Sequence, residues 1–149
     1  MREQDIQAQV ADYIRLRYPR AIFHSDFGSG IKLTMGQAIK QKRLNGGRRA
    51  WPDMFIAEPK YTKAECKVLD AADKSVINEA FTIREHKFGL FIELKKDGTR
   101  IYKKDGTLVS DEHIREQYDM LEDLRQRGYA AEFACGFDEA KKIIDEYLA

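Results

Sequence analysis

The chain has 149 residues, 43% hydrophobic and 11% aromatic, with a net charge of +1. This length and balance fit one globular domain, residues 1–149, with enough apolar side chains for a core. No stretch reaches the apolar length of a membrane span, MREQDIQAQV is too polar for an expected signal peptide, and Cys66 and Cys135 form no CxxC pair that would suggest a zinc or disulfide framework, so a cytoplasmic location is expected.

Residues 3–18 predict a helix, with Ile6, Val10, Tyr13, Ile14 and Arg17 at roughly helical spacing and Pro19 after its end. AIFHSDF (21–27) predicts a short strand before the glycine loop GSG. TMGQAIKQKRL (34–44) predicts a basic helix stopping at Asn45-Gly46-Gly47. WPDMFIA predicts a strand with Pro52 at its start or on an edge. Residues 62–82 read as a helical element: Thr62 and Glu65 make a capping-box pattern, and Val68, Leu69, Ala72, Val76, Ile77, Ala80 and Phe81 supply a stripe that Asp73–Ser75 could divide. GLFIELK predicts a strand, and TRIYKKDGTLV a hairpin turning at Asp105-Gly106. Ser110 or Asp111 caps a helix that turns Ile114, Leu121 and Leu124 inward and ends at Gly128. YAAEFACG is a further strand, and a last helix over 138–148 buries Ala140, Ile143, Ile144, Tyr147 and Leu148. This order predicts an α/β domain with a mixed central sheet flanked by helices.

Chemistry enters at GLFIELKKDG. Strand side chains alternate, so Leu90, Ile92 and Leu94 share one face, and Phe91, Glu93 and Lys95 the other. Two charges about 7 Å apart in an apolar strand need a partner, a metal or an opening to water. The other Glu-x-Lys triplets fall in turns, connectors or helical patterns. WPDMFIA likewise sets Trp51, Asp53 and Phe55 on one face, against Met54 and Ile56. Carboxylates on neighbouring strands repel unless a cation lies between them. Mg²⁺ takes oxygen ligands at about 2.0–2.1 Å, so Asp53, Glu93, the Leu94 carbonyl and a phosphate oxygen would make a suitable shell. Such an ion polarises a phosphate and activates water. Beside it, Lys95 either stabilises developing charge or acts as a base.

Lys40, Lys42, Arg43, Arg48 and Arg49 crowd the stretch before Asp53, and Lys96 follows the second motif; these are candidate phosphate contacts. His24, His86 and His113 are read as ordinary imidazoles.

RRAWPDMFI followed by GLFIELKK resembles the core of the PD-(D/E)xK nucleases, and the wider pattern is similar to their virus-type replication-repair branch, the VRR-NUC domains. That branch has an early helix with Glu and Gln, a G-x-PD strand, an (I/V)ELK strand, and a helix with Gln before L-x-x-x-G-(Y/W). Glu3 with Gln7, Pro52-Asp53, Ile92-Glu93-Leu94-Lys95, Gln117, and Leu124 through Gly128-Tyr129 match it in order across nearly the whole chain, and GFDEAKKIIDEYL resembles its last helix. The resemblance implies a restriction-endonuclease-like fold and Mg²⁺- or Mn²⁺-dependent hydrolysis of DNA. In that reading Asp53 and Glu93 hold the ion, Lys95 is catalytic, and Glu3 and Gln117 complete or orient the site. It further implies a homodimer acting on branched DNA such as Holliday junctions, in a phage or prophage repair or recombination setting. Two features depart from the pattern. Ala50 replaces a frequent Gly, and the 62–82 element lengthens the interval between Asp53 and Glu93, as a dimerisation arm, a DNA clamp or a surface insertion. A non-catalytic DNA-binding or assembly module with the same fold is the alternative.

Overall fold

A computed structural model describes residues 1–26, 32–73 and 75–149. The elements are α1 (Glu3–Arg17), β1 (Phe23–Ser25), α2 (Met35–Leu44), β2 (Met54–Ile56), β3 (Lys60–Leu69), β4 (Val76–Lys87), β5 (Leu90–Lys95), α3 (Glu112–Gln126), β6 (Ala130–Cys135) and α4 (Phe137–Leu148). The fold is mixed α/β, as the order of elements predicts. One four-stranded sheet runs β1–β2–β5–β6, antiparallel except for the parallel β5–β6 pair, which α3 connects.

Alternation along β5 and β2 decides where the core lies. Leu90, Ile92, Leu94, Met54 and Ile56 bury on one face beneath Ile6, Val10 and Ile14 of α1 and Ala140, Ile144 and Tyr147 of α4. The α1 residues recur every four positions, which keeps them on one helix face. On the opposite face Ile114, Met120, Leu121 and Leu124 of α3 cover Ala131 and Phe133. Each such aliphatic side chain contributes about 1.5–3 kcal/mol on burial. Asp111 caps α3, its carboxylate accepting the Ile114 N–H at 3.0 Å. Close approach of β2 and β5 depends on Gly89: a Cβ there would stand 2.6 Å from a Phe55 ring carbon and 2.8 Å from the Ile56 carbonyl oxygen.

The expected helical element at 62–82 is instead a two-stranded antiparallel ribbon. Lys60 pairs with Lys87, Thr62 with Glu85, Glu65 with Thr82 and Leu69 with Val76. Two physical reasons override the apparent stripe. Tyr61, Thr62, Val68, Val76, Ile77, Phe81, Thr82 and Ile83 are β-branched or aromatic, types that favour strands. Asp70 also nucleates a turn: its carboxylate accepts the Ala72 N–H at 2.7 Å, and its own N–H donates to the Ser75 carbonyl at 2.7 Å. The ribbon's base is tied to α4, where the Tyr147 hydroxyl donates to the Glu58 carbonyl at 2.6 Å and the Lys60 ammonium donates to the Glu146 carbonyl.

The expected hairpin at 99–109 is reduced to a tight reversal with one bridge, Tyr102 to Leu108, turning at Asp105-Gly106. The glycine loop at 28–30 lies outside the described residues. Among the described residues no helix is long and apolar enough to cross a membrane.

Candidate active site

Pro52 ends the β2–β5 ladder and thereby opens the site. Extending the Met54↔Ile92 register by two places sets Pro52 opposite Leu94. Proline has no N–H to offer the Leu94 carbonyl. The Leu94 N–H donates to Asp53 Oδ2 at 2.8 Å. The Asp53 backbone is held from the other side, its carbonyl accepting the Asp26 N–H at 2.7 Å. Gln7 of α1 joins the same strand ends, its Nε2 donating to Ser25 Oγ and to the Asp26 carbonyl, both at 2.7 Å.

Glu93 and Lys95 share one face of β5 and are only 3% and 7% exposed. The long lysine side chain closes the gap between alternate strand positions, bringing Nζ to 3.2 Å from Glu93 Oε1. Gln117 of α3 donates to the same oxygen at 2.5 Å, and its Nε2 also lies 3.2 Å from His113 Nε2, one helical turn earlier. Among the described residues Gln117 Oε1 is buried without a hydrogen-bond partner.

Burial pushes the Asp53 carboxyl up to about 6, against the Leu94 N–H and the Lys95 ammonium that favour its charge; Glu3 and Asp26 push it further up. Burial, and then the Asp53 charge, push Glu93 up to about 8, with Lys95 opposing. The two acids are thus poorly compensated for charge by one ammonium.

The donor set fits a hard divalent cation. Asp53, Glu93 and the Leu94 carbonyl supply oxygen, and Gln117 Oε1 is a further buried oxygen in need of a partner. No group of three or more His, Cys, Asp or Glu is placed to hold a metal among the described residues. Two carboxylates supplemented by carbonyls and water suit Mg²⁺ or Mn²⁺ better than zinc.

Asp53, Glu93, Lys95, Gln117 and Glu3 all line one cleft of about 730 Å³, together with Lys42, Arg48 and Arg49. The other expected phosphate contacts, Lys40, Arg43 and Lys96, are exposed but are not part of this lining. Arg48 is engaged elsewhere: it pairs with Asp123 of α3 at 2.8 Å, bracing one wall.

A solved structure titled "VRR_NUC domain protein" matches 99% of this chain and 88% of its own, at 21% identity and a TM-score of 0.56. The chain has a VRR-NUC-type fold. No protein-family model and no curated protein matches it.

Within this VRR-NUC-type fold, the cleft residues His113 and Asp26, and Gln7 bonded to Asp26, were not among the site candidates of the sequence reading. His113 was read as an ordinary imidazole, although its position four before Gln117 on a helix puts the two on one side. Asp26 reaches the cleft because β1 pairs with β2, a contact no local pattern announces. Gln7 appeared only within the family pattern and turns out to join strand ends.

Ala50 acquires a physical meaning as well. Its φ is +61°, in the left-handed region where a Cβ costs about 1–2 kcal/mol. Ala50→Gly therefore relieves strain just before Asp53 while adding about 0.5–1 kcal/mol of unfolded-chain entropy. The expected net result is a stabilisation of about 0.5–1 kcal/mol in urea unfolding; a destabilised variant contradicts this account.

Proposed function

We propose that this chain is a Mg²⁺- or Mn²⁺-dependent endodeoxyribonuclease that hydrolyses DNA phosphodiester bonds. One observation carries the reading: Asp53, pinned by the Leu94 N–H, faces the buried Glu93–Lys95 pair from the adjoining strand within one cleft whose wall is cationic.

Asp53, Glu93 and the Leu94 carbonyl would hold the divalent ion. When bound, it supplies Lewis-acid polarisation of the scissile phosphate and lowers the pKa of a water. Lys95, paired with a carboxylate, is suited to placing its ammonium against charge developing on the phosphate oxygens, and we assign it that role in preference to a base. Gln117 would hold Glu93 in position, its Nε2 donating to Glu93 Oε1. Lys42 and Arg49, which line the same cleft, would bind flanking phosphates.

Preference for branched DNA, a phage or prophage repair role and a two-fold dimer carrying two clefts to two strands extend this reading. In its test, supercoiled plasmid and four-way junctions are incubated with EDTA, Mg²⁺ or Mn²⁺. Strand cleavage is expected only with a divalent ion. DNA binding without cleavage under every condition would instead identify a non-catalytic module.

A further inference from the structure

Helix α2 buries none of its residues, and its apolar Met35, Ile39 and Leu44 are 82%, 65% and 75% exposed. A surface helix ordinarily hides an apolar stripe against its own protein. This one is held at its start by a reciprocal cap: Thr34 Oγ1 accepts the Gln37 N–H at 3.2 Å, and Gln37 Oε1 accepts the Thr34 N–H at 3.0 Å. Met35 and Ile39, four positions apart, lie on one side of the helix. Both line the cleft that holds Asp53 and Glu93. Trp51, 40% exposed, lines it too and is tethered through Nε1 to the Asn45 carbonyl at 3.3 Å.

The charge around this apolar wall selects its occupant. From Lys32 to Pro52 the sequence contains six Lys or Arg and no Asp or Glu, although the whole chain carries only +1. A second copy bringing the same segment would meet like charge. An anionic lipid surface is broad and would not enter a concave cleft to reach Met35, Ile39 and Trp51 together. A nucleic-acid strand matches both components, phosphates to the cations and base faces to the apolar side chains. Intact duplex hides its base faces in the stack, whereas unpaired bases offer them to aromatic and aliphatic platforms.

We infer that Met35, Ile39 and Trp51 form a binding wall for unpaired nucleotides, with Lys42 and Arg49 on the neighbouring phosphates. Its position beside the scissile bond rests on the nuclease reading; the binding does not. The preferred DNA then carries unstacked bases next to the cut, as at forks, flaps or frayed junctions.

Trp51 is the chain's one tryptophan, so its emission reports directly on this wall. The full chain is titrated in EDTA, and again in Ca²⁺, with an oligothymidylate, a fork with single-stranded arms and a blunt duplex, while anisotropy of labelled DNA follows binding. Quenching by oligothymidylate and fork is expected, with little or none from duplex that binds. Ile39→Ser, an exposed position, should weaken oligothymidylate binding about tenfold and leave duplex binding and its salt dependence unchanged. Equal quenching by blunt duplex overturns the inference. So does single-strand binding without quenching, a response to anionic vesicles but not to DNA, or an emission shift that depends on protein concentration alone. Absent cleavage with quenching intact counts against the nuclease reading only; cleavage without quenching counts against this wall only.

Discussion

Lys95→Ala is expected to lower single-turnover DNA cleavage by about 10²–10³-fold at saturating Mn²⁺, the usual cost of removing one group aimed at developing charge. The substitution takes away the only basic group that pairs with Glu93 among the described residues, in a place where both side chains are almost wholly buried. Breaking such a pair ordinarily costs several kcal/mol, because the remaining charge is left in low dielectric. Here the cost is limited. Burial already pushes Glu93 up to about 8, so the acid can take a proton at neutral pH in place of the lost ammonium. The variant should therefore fold, bind DNA through the cationic wall and fail in chemistry. Asp53→Asn should behave alike, since an amide keeps the shape and loses the anion. Circular dichroism establishes folding and gel-based cleavage the rate. Either variant cutting within about threefold of the unaltered protein would rule out this site assignment, since three-fold corresponds to well under 1 kcal/mol.

The second large effect is a pH dependence of stability whose size a divalent ion controls. Asp53 and Glu93 have ordinary values of 3.8 and 4.5 and are pushed up to about 6 and about 8 in the folded chain. The folded state therefore binds protons more tightly than the unfolded one. The stability these two acids contribute is complete below about pH 4 and is lost as pH rises through 6 to 8. The combined loss is on the order of several kcal/mol, because each tenfold change in proton affinity is about 1.4 kcal/mol and the two groups titrate as a pair. Asp145 works in the opposite sense, held below its ordinary value by the Tyr13 hydroxyl, then by Tyr18 and Lys141. Its contribution changes only below about pH 5, so the interval from pH 5 to 8 isolates the site. A cation gripping both carboxylates competes with their protons, so its stabilising effect should be small at pH 5 and large at pH 8. Urea unfolding in EDTA, Mg²⁺ and Mn²⁺ across that interval measures this. The double variant Asp53→Asn, Glu93→Gln should lose both the pH slope and the metal response. An unaltered protein whose stability at pH 8 is indifferent to either metal contradicts the proposed ion site.

How much of this was legible in the sequence depends on the range of the forces involved. Helices α1, α3 and α4 were readable because their apolar residues repeat at helical spacing and bury one stripe each, and Asp111 marks a start. The β5 alternation separated Leu90, Ile92 and Leu94 from Phe91, Glu93 and Lys95, and the structure keeps that division. The ribbon at 60–87 was misread because valine, isoleucine and phenylalanine at mixed spacings satisfy a helical stripe and a strand alike. Long antiparallel pairing and the Asp70 turn decided in favour of strands.

For the site, the sequence by itself supplied the candidate side chains: an acid opening one apolar strand, an acid and an amine interrupting another, and a cationic stretch between Lys32 and Pro52. Tertiary structure alone decided that they share a cleft. The β2–β5 register aligns the strands, the Leu94 N–H donates to Asp53 where the ladder ends, and α3 brings Gln117 and His113 alongside. It also left the apolar side of α2 uncovered beside that cleft. Side-chain type is local information, whereas desolvation and charge repulsion exist only once distant segments have packed, which is why Asp53 and Glu93 acquire their altered acidity in the fold and not in the chain.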